Sequence, residues 1–278
     1  MNRRINILNL IKFIIVGIFA IMTVILPLWI IIINSMKNLR ESEQMGIGFP
    51  SQWQFIQNYK HVIIQGRLVV GFFNSLLVTG VSIFIIILFA SLAAWVYARS
   101  KSKVISFFYY LSISAVLIPP AIVTSIRVLK FLHIYGNSFG LIIFYIGIFM
   151  SLALFLITGF IKTIPIELEE AARIDGCSTL RIFFNIIFPL LKPIILTTSI
   201  ILTLGIWNDF FYPFFILSKS YQWTLPMGLY NFISYFKYQT NWNYVFADVV
   251  LVSLPLVIVY YFAQKRILAG IMSGAIKG

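Results

Sequence analysis

Charge is missing from long stretches of this chain, and those stretches predict its architecture. Lys12 and Lys37 frame an apolar run that starts at Phe13, and Arg67 and Arg99 frame a second. Lys103 and Arg127 frame a third, Lys130 and Lys162 a fourth. A charge at the centre of a membrane helix costs roughly 2.5–3.5 kcal/mol, while one Leu or Ile returns only about 0.3–0.6 kcal/mol. Each gap is longer than the roughly 20 residues that a bilayer requires. Two less clean runs follow, one holding Lys192 and Asp209 and one with Asp248 near its start. The pattern predicts an all-α integral membrane protein with six transmembrane helices. They are placed at about 13–35, 72–98, 104–126, 139–161, 186–217 and 244–264, within a single domain over 1–278. The first run is too long for the core of a signal peptide, and no small-residue cleavage site follows it, so it reads as an anchored helix. Pro119-Pro120 falls in the middle of the third run and predicts a broken helix there.

Composition agrees with the pattern. Of 278 residues, 60% are apolar and 10% charged, against about 25% charged in soluble domains. A water-soluble enzyme, a disordered chain and a collagen-like chain are all excluded. The formal net charge of +13 would point to nucleic acid in a soluble protein; in this one it reads as topology. With six spans, one side collects Arg3, Arg4, Lys12, Arg99, Lys101, Lys103, Lys162, Arg173, Arg181, Lys192, Lys265, Arg266 and Lys277. That is 13 of the 21 basic residues. The positive-inside rule makes that side cytoplasmic and puts both termini there. The predicted external loops, about 37–70, 127–138 and 218–243, carry many aromatic residues. These read first as interfacial belts and second as a surface that meets a partner or ligand.

Several chemistries are absent. No Gly-rich phosphate loop of the G-x-x-x-x-G-K-[ST] type occurs. His61 and His133 are far apart and Cys177 is alone, so no metal site is expected. The spans lack the paired ionisable groups and repeated halves of a secondary transporter, and they hold no constellation for a membrane-embedded enzyme. A chain of this kind that drives uphill transport must take its energy from another subunit.

The segment from Lys162 to Ile194 departs from this apolar pattern. Four of the eight acids, Glu167, Glu169, Glu170 and Asp175, fall within nine residues. Pro165 suits a first helical turn, the glutamates suit the positive end of the helix dipole, and Gly176 suits a left-handed stop. Ser178 is placed to cap a following helix, which Pro189 and Pro193 would bend. The prediction is a cytoplasmic helix over about 165–175, a sharp turn, and a helix entering the bilayer. Surface-lying amphipathic helices carry a basic polar face; an acidic one fits a docking surface for a protein better.

The same residues carry a resemblance. Glu170-Ala171-Ala172, three residues, Gly176, nine residues, then Ile186-Ile187-Phe188-Pro189 resembles the EAA signature of bacterial ABC-importer permeases, with Phe188 where the pattern has Leu. The longer stretch from Ile164 to Gly176 resembles the carbohydrate-uptake branch, that of the second permease in maltose-type transporters. Asn74-Ser75-Leu76, Trp207-Asn208-Asp209-Phe210 with Pro213, and Gln264 through Gly270 to Gly278 are similar to other patches of that branch.

The resemblance implies a non-catalytic permease of a bacterial cell-membrane sugar importer working by alternating access. Glycerol-phosphate-type or other small polar cargo is the alternative, and a secondary transporter a distant one. It implies a coupling helix that docks in a cytoplasmic ATPase dimer, with Glu167, Glu170, Ala171, Ala172, Arg173, Asp175 and Gly176 as the coupling residues. ATP and Mg would sit on those ATPase partners, with no cofactor on this chain. A second homologous permease, an extracellular or periplasmic solute-binding protein and membrane lipid complete the implied partners; nucleic acid is not among them. The loop within 221–242 would meet the binding protein. Gly274, Ala275, Lys277 and Gly278 form a tail that either frays or reaches the ATPase interface. Ser199, Thr203 and Trp207 recur at i, i+4 and i+8, with Asn208 adjoining. They read as helix–helix glue or, by the resemblance, as lining of a sugar path.

Overall fold

The computed structural model describes the backbone over 7–234 and 240–275, and side chains over 12–229, 240–258 and 260–261. Every element longer than an isolated bridge is helical among these residues. The first apolar run is a rod made of α1 (Ile7–Ala20), a π-helical turn (Ile21–Ile25) and α2 (Leu26–Asn34). The wide turn has a cause: Pro27 has no N–H and its ring crowds the carbonyl four residues back, at Thr23. Two short helices, α3 (Leu39–Glu43) and α4 (Phe55–Gln65), occupy the first predicted external loop, which carries more structure than its polar composition announced. The second run is the unbroken 32-residue α5 (Leu68–Arg99).

The third run is broken as predicted. It consists of α6 (Lys103–Ser114), a 3-10 turn (Ala115–Leu117) and α7 (Ile122–Phe131). Between them Ile118 and Ala121 are extended, flanking Pro119-Pro120, as the residue before a proline must avoid the helical region. The fourth run is α8 (Ser138–Ile161). Then come α9 (Glu167–Ile174) and α10 (Thr179–Ile182), and a second π turn (Phe183–Ile187), again just before a proline, Pro189. After α11 (Phe188–Leu190) and Leu191, α12 (Lys192–Trp207) sets off at 71° to the preceding segment. The fifth predicted span is thus a bent pair, and α13 (Phe211–Ile216) is separate from it. The chain closes with α14 (Leu225–Ser234) and the long α15 (Trp242–Ala275).

Among the described residues three continuous helices are long and apolar enough to cross a membrane: Lys12–Asn34, Leu68–Arg99 and Ser138–Ile161. The bent pair makes a fourth if counted as one span. The side chains of the first lie bare from Phe13 through Leu28, a face that lipid can cover and water cannot.

Backbone packing divides the chain into two compact units. Met1–Val69 with Gly228–Pro255 form the first. Its polar centre is Asn58, 1% exposed. The Asn58 amide donates to the carbonyls of Ser35 and Lys37, both at 2.9 Å, and its oxygen accepts from the Asn243 amide at 2.9 Å. Lys37 is buried nearby, its ammonium donating to Gly46 O at 2.7 Å and Asn34 Oδ1 at 3.1 Å; burial holds its pKa below the usual lysine value. Replacing Asn58 with Ala strands two buried carbonyls and one amide, each worth about 1–3 kcal/mol. The expected result is a lower unfolding midpoint for the detergent-purified protein, with Asn58→Asp, which keeps only the acceptor, also destabilised.

Val70–Met227 with Leu256–Gly278 form the second unit. One apolar cluster joins α5 (Ile86, Ala90, Ala94, Trp95), α8 (Ala153, Leu154, Ile157, Ile161) and the bent segment (Ile182, Phe183, Ile187, Leu191). Ala90, Ala94 and Ala153 are fully buried; small residues let helices approach closely in a membrane, where lipid gives no hydrophobic drive to associate. A second cluster gathers Val78, Leu141, Tyr145, Ile206 and Ile216.

Candidate functional site

The acidic segment after α8 folds against the first of these clusters. Ile164, ahead of the helix, and Ala172, within it, belong to that core. α9 therefore has an inner face of Glu169 and Ala172 and an outer face of Glu167, Leu168, Glu170, Ala171, Arg173 and Ile174. Ile174 is 86% exposed, and Leu180 just beyond the turn 66%. Among the described residues nothing covers this exposed patch, which mixes bare isoleucine and leucine with carboxylates.

The helix is shorter than the predicted 165–175. Ile166 is its N-cap and Asp175 its C-cap, so Pro165 precedes the cap instead of entering the first turn. Arg99 donates from Nη2 to the Ile164 carbonyl at 2.9 Å, ahead of the cap. The stop is the predicted one. Gly176 has φ of 77°, its N–H donates to Arg173 O, and the Cys177 N–H to Ala172 O, both at 3.0 Å. This pair of bonds closes a Schellman turn, which requires the left-handed region at the glycine. Ser178 holds the N-cap position of α10, but its hydroxyl makes no capping bond.

The coupling residues proposed from sequence do not share one surface. Glu167, Glu170, Ala171, Arg173, Asp175 and Gly176 are exposed together, whereas Ala172 is 7% exposed and packs inward. Its small size serves close approach to this chain's own core. Sequence reasoning also missed Glu169, which is 1% exposed. Its Oε1 accepts from Arg99 Nε at 2.8 Å and its Oε2 from Trp95 Nε1 at 3.0 Å. Glu169 lies three residues before Ala172, on the same helix face, and that spacing was the available signal.

The residues assigned to a sugar path are not convergent. Thr203 spends its hydroxyl on its own helix, donating to Ser199 O at 2.7 Å, and the Asn208 amide donates to Leu204 O at 3.1 Å. Trp207 is 6% exposed, with its ring 5.9 Å from that of Phe72. Ser199 is half-buried and Asn208 exposed. Asp209, the one acid within the fifth run, accepts from the Tyr145 hydroxyl at 2.7 Å and from the Phe211 N–H at 2.8 Å, so it ties α8 to the start of α13. Of the tail, Gly274 and Ala275 end α15, and Lys277 and Gly278 lie outside the described residues. The predicted external loop within 221–242 lies partly outside them too. Among the described residues no group of three or more His, Cys, Asp or Glu could hold a metal ion.

Long apolar helices, one of them broken and one bent, with a short polar helix packed on their core, define an integral membrane protein of the transport-permease class. The chain belongs to the family of binding-protein-dependent transport system inner membrane components, whose family model matches residues 86–272. It is a permease subunit of that kind of transport system. The match includes α9, Gly176 and the Trp95, Arg99 and Glu169 contacts. The chain is 36% identical to the probable starch degradation products transport system permease protein AmyC of Thermoanaerobacterium thermosulfurigenes, over 94% of both chains. It is also 36% identical to the melibiose/raffinose/stachyose import permease protein MelC of Bacillus subtilis, over 91% of both. In fold it is similar to a solved chain of a bacterial ABC transporter involved in the import of the acidic polysaccharide alginate. That similarity has a TM-score of 0.78 at 20% identity, over 95% of this chain and 98% of the other.

Proposed function

We propose that this chain is one of two permease subunits of an ATP-driven importer of di- and oligosaccharides. The carbohydrate class is supported by relatives named for starch degradation products and for melibiose, raffinose and stachyose. Six spans cross the membrane in this reading: the rod ending at Asn34, α5, the broken α6–α7 pair, α8, the bent α10–α12 pair and α15. Both termini and α9 are cytoplasmic. α9 is the coupling helix and docks on an ATPase subunit, and the ATP and Mg ions sit on the ATPase dimer. The second permease, the dimer and an external solute-binding protein complete the assembly, and this chain catalyses nothing itself. Ser199, Thr203 and Asn208 are the path residues with surface still available, Trp207 giving their helix end its packing.

One observation carries this reading: a short acidic helix that exposes Ile174 and Glu170 outward while its back is sealed into the core of α5 and α8. Such a helix can receive force on one face and deliver it through the other. The test is oligosaccharide uptake by proteoliposomes with ATP inside. Uptake is expected only when the cognate ATPase, partner permease and binding protein are all present. Uptake by this chain alone would overturn the proposal.

A further inference from the structure

We propose that Glu169, Arg99 and Trp95 form a pin that positions α9 on the cytoplasmic end of α5 and carries α9's motion directly into that span. The proposal rests on the reading of α9 as the coupling helix and names its route into the membrane. α9 is joined covalently to α8 on one side and to α10 on the other. α5 lies some seventy residues upstream, yet its last two turns hold α9 from within.

The bonds are directional. Arg99 holds two points at once, donating to the Ile164 carbonyl in the α8–α9 link at 2.9 Å and to the Glu169 carboxylate within α9 at 2.8 Å. Trp95, one turn earlier, donates to the other carboxylate oxygen at 3.0 Å. The Trp95 ring lies 5.6 Å from that of Phe183, which is fully buried and begins the π turn of the bent segment. The carboxylate is thus held at both oxygens by groups one helical turn apart, and the same indole packs on the bent segment that follows α9.

A buried ion pair is a poor way to gain stability, because desolvating two charges consumes most of their attraction. Apolar side chains of similar size would seal this core as well. They would also slide. A carboxylate bonded at both oxygens fixes position along and around α5, as apolar contact does not. α5 is one unbroken helix of 32 residues, on the order of 50 Å long at 1.5 Å per residue. A displacement at its pinned end moves it as a rigid body.

The test uses the assembled transporter in proteoliposomes and reads the sugar imported per ATP hydrolysed. Glu169→Gln keeps the shape but removes the charge that both donors share, and Arg99→Lys loses the two-ended reach. Trp95→Phe keeps the ring on Phe183 and loses only the N–H; it decides the matter if the other two variants fail to accumulate. The ATPase subunit is expected to co-purify at wild-type stoichiometry and basal hydrolysis to persist. Sugar per ATP is expected to fall about tenfold. An unchanged ratio, or hydrolysis and uptake falling by the same factor, overturns the pin. Ile174→Asp on the outer face separates the two proposals. If that variant leaves co-purification and uptake intact, the docking reading fails. If it abolishes co-purification while Glu169→Gln transports normally, only the pin fails.

Discussion

Gly176→Val is expected to leave the chain in the membrane and to reduce coupled sugar uptake by about tenfold to hundredfold. A Cβ at Gly176 meets nothing within 4 Å, so the side chain itself has room. The cost is in the backbone, because φ is 77° there and a β-branched residue is strongly disfavoured in the left-handed region. To relax, the chain must give up the bonds from Gly176 N–H to Arg173 O and from Cys177 N–H to Ala172 O. The angle between α9 and α10 then changes, and with it the direction in which Glu170 and Ile174 face. Gly176→Asn is the control, since asparagine tolerates this conformation, and it should keep most of the uptake. Equal loss in both variants would point to the missing hydrogen as a contact surface instead of a conformational requirement.

Gly140→Ala is expected to damage the fold itself. A Cβ there would run into the Ile134 carbonyl oxygen, a backbone atom that cannot rotate away. That carbonyl is fixed from several directions. The Ile134 N–H donates to Leu129 O at 3.0 Å, and His133 before it has φ of 58°. Gly136 after it has φ of 87° and bonds Ile216 O through its N–H at 3.1 Å. Gly140 is in turn held by Asn137, whose Oδ1 accepts its N–H at 2.9 Å and caps α8. One methyl therefore pushes the start of α8 away from the α7 turn and from the bridge to Leu217. The expected destabilisation is about 3 kcal/mol, and the unfolding midpoint in detergent should drop by on the order of 10 °C. Asn137→Ala, which only removes the cap, should cost about 1 kcal/mol. A Gly140→Ala protein with a wild-type midpoint would mean that the tight α7–α8 turn is not as described.

The apolar runs announced the helices because excluding charge for more than 20 residues leaves few other structures. Proline was equally readable: the break at Pro119-Pro120 and the bend before Lys192 follow from a missing N–H and a clashing ring. So was the left-handed stop at Gly176. Periodicity could not reveal pairing. Glu169 reads from sequence as one more acid of the docking helix, because spacing alone does not separate a buried carboxylate from exposed ones. Its partners, Trp95 and Arg99, come from a distant helix, and only folding brings them within 3.0 Å. Ala172 stands among the coupling residues in the sequence, and only the fold shows that it fills this chain's own core. Asp209 looked like a charge stranded near the bilayer until Tyr145 and the start of α13 accounted for both its oxygens. The helices α3 and α4 were hidden because polar, aromatic-rich loops carry weak periodicity, although Asn38 accepts the Glu41 N–H as a regular N-cap.

Site-directed cross-linking shows whether the outer face of α9 meets an ATPase subunit. The chain has one cysteine, Cys177, so Ile174→Cys in a Cys177→Ala background places a single reactive thiol on the exposed outer face of α9. In membranes holding the assembled transporter, a short bifunctional reagent is expected to join this position to the ATPase subunit. The yield should change when ATP is added, and the same reagent on Phe13→Cys in the lipid-facing rod should capture no ATPase. Full uptake by the Ile174→Cys transporter with no ATPase adduct under any nucleotide condition would contradict the account.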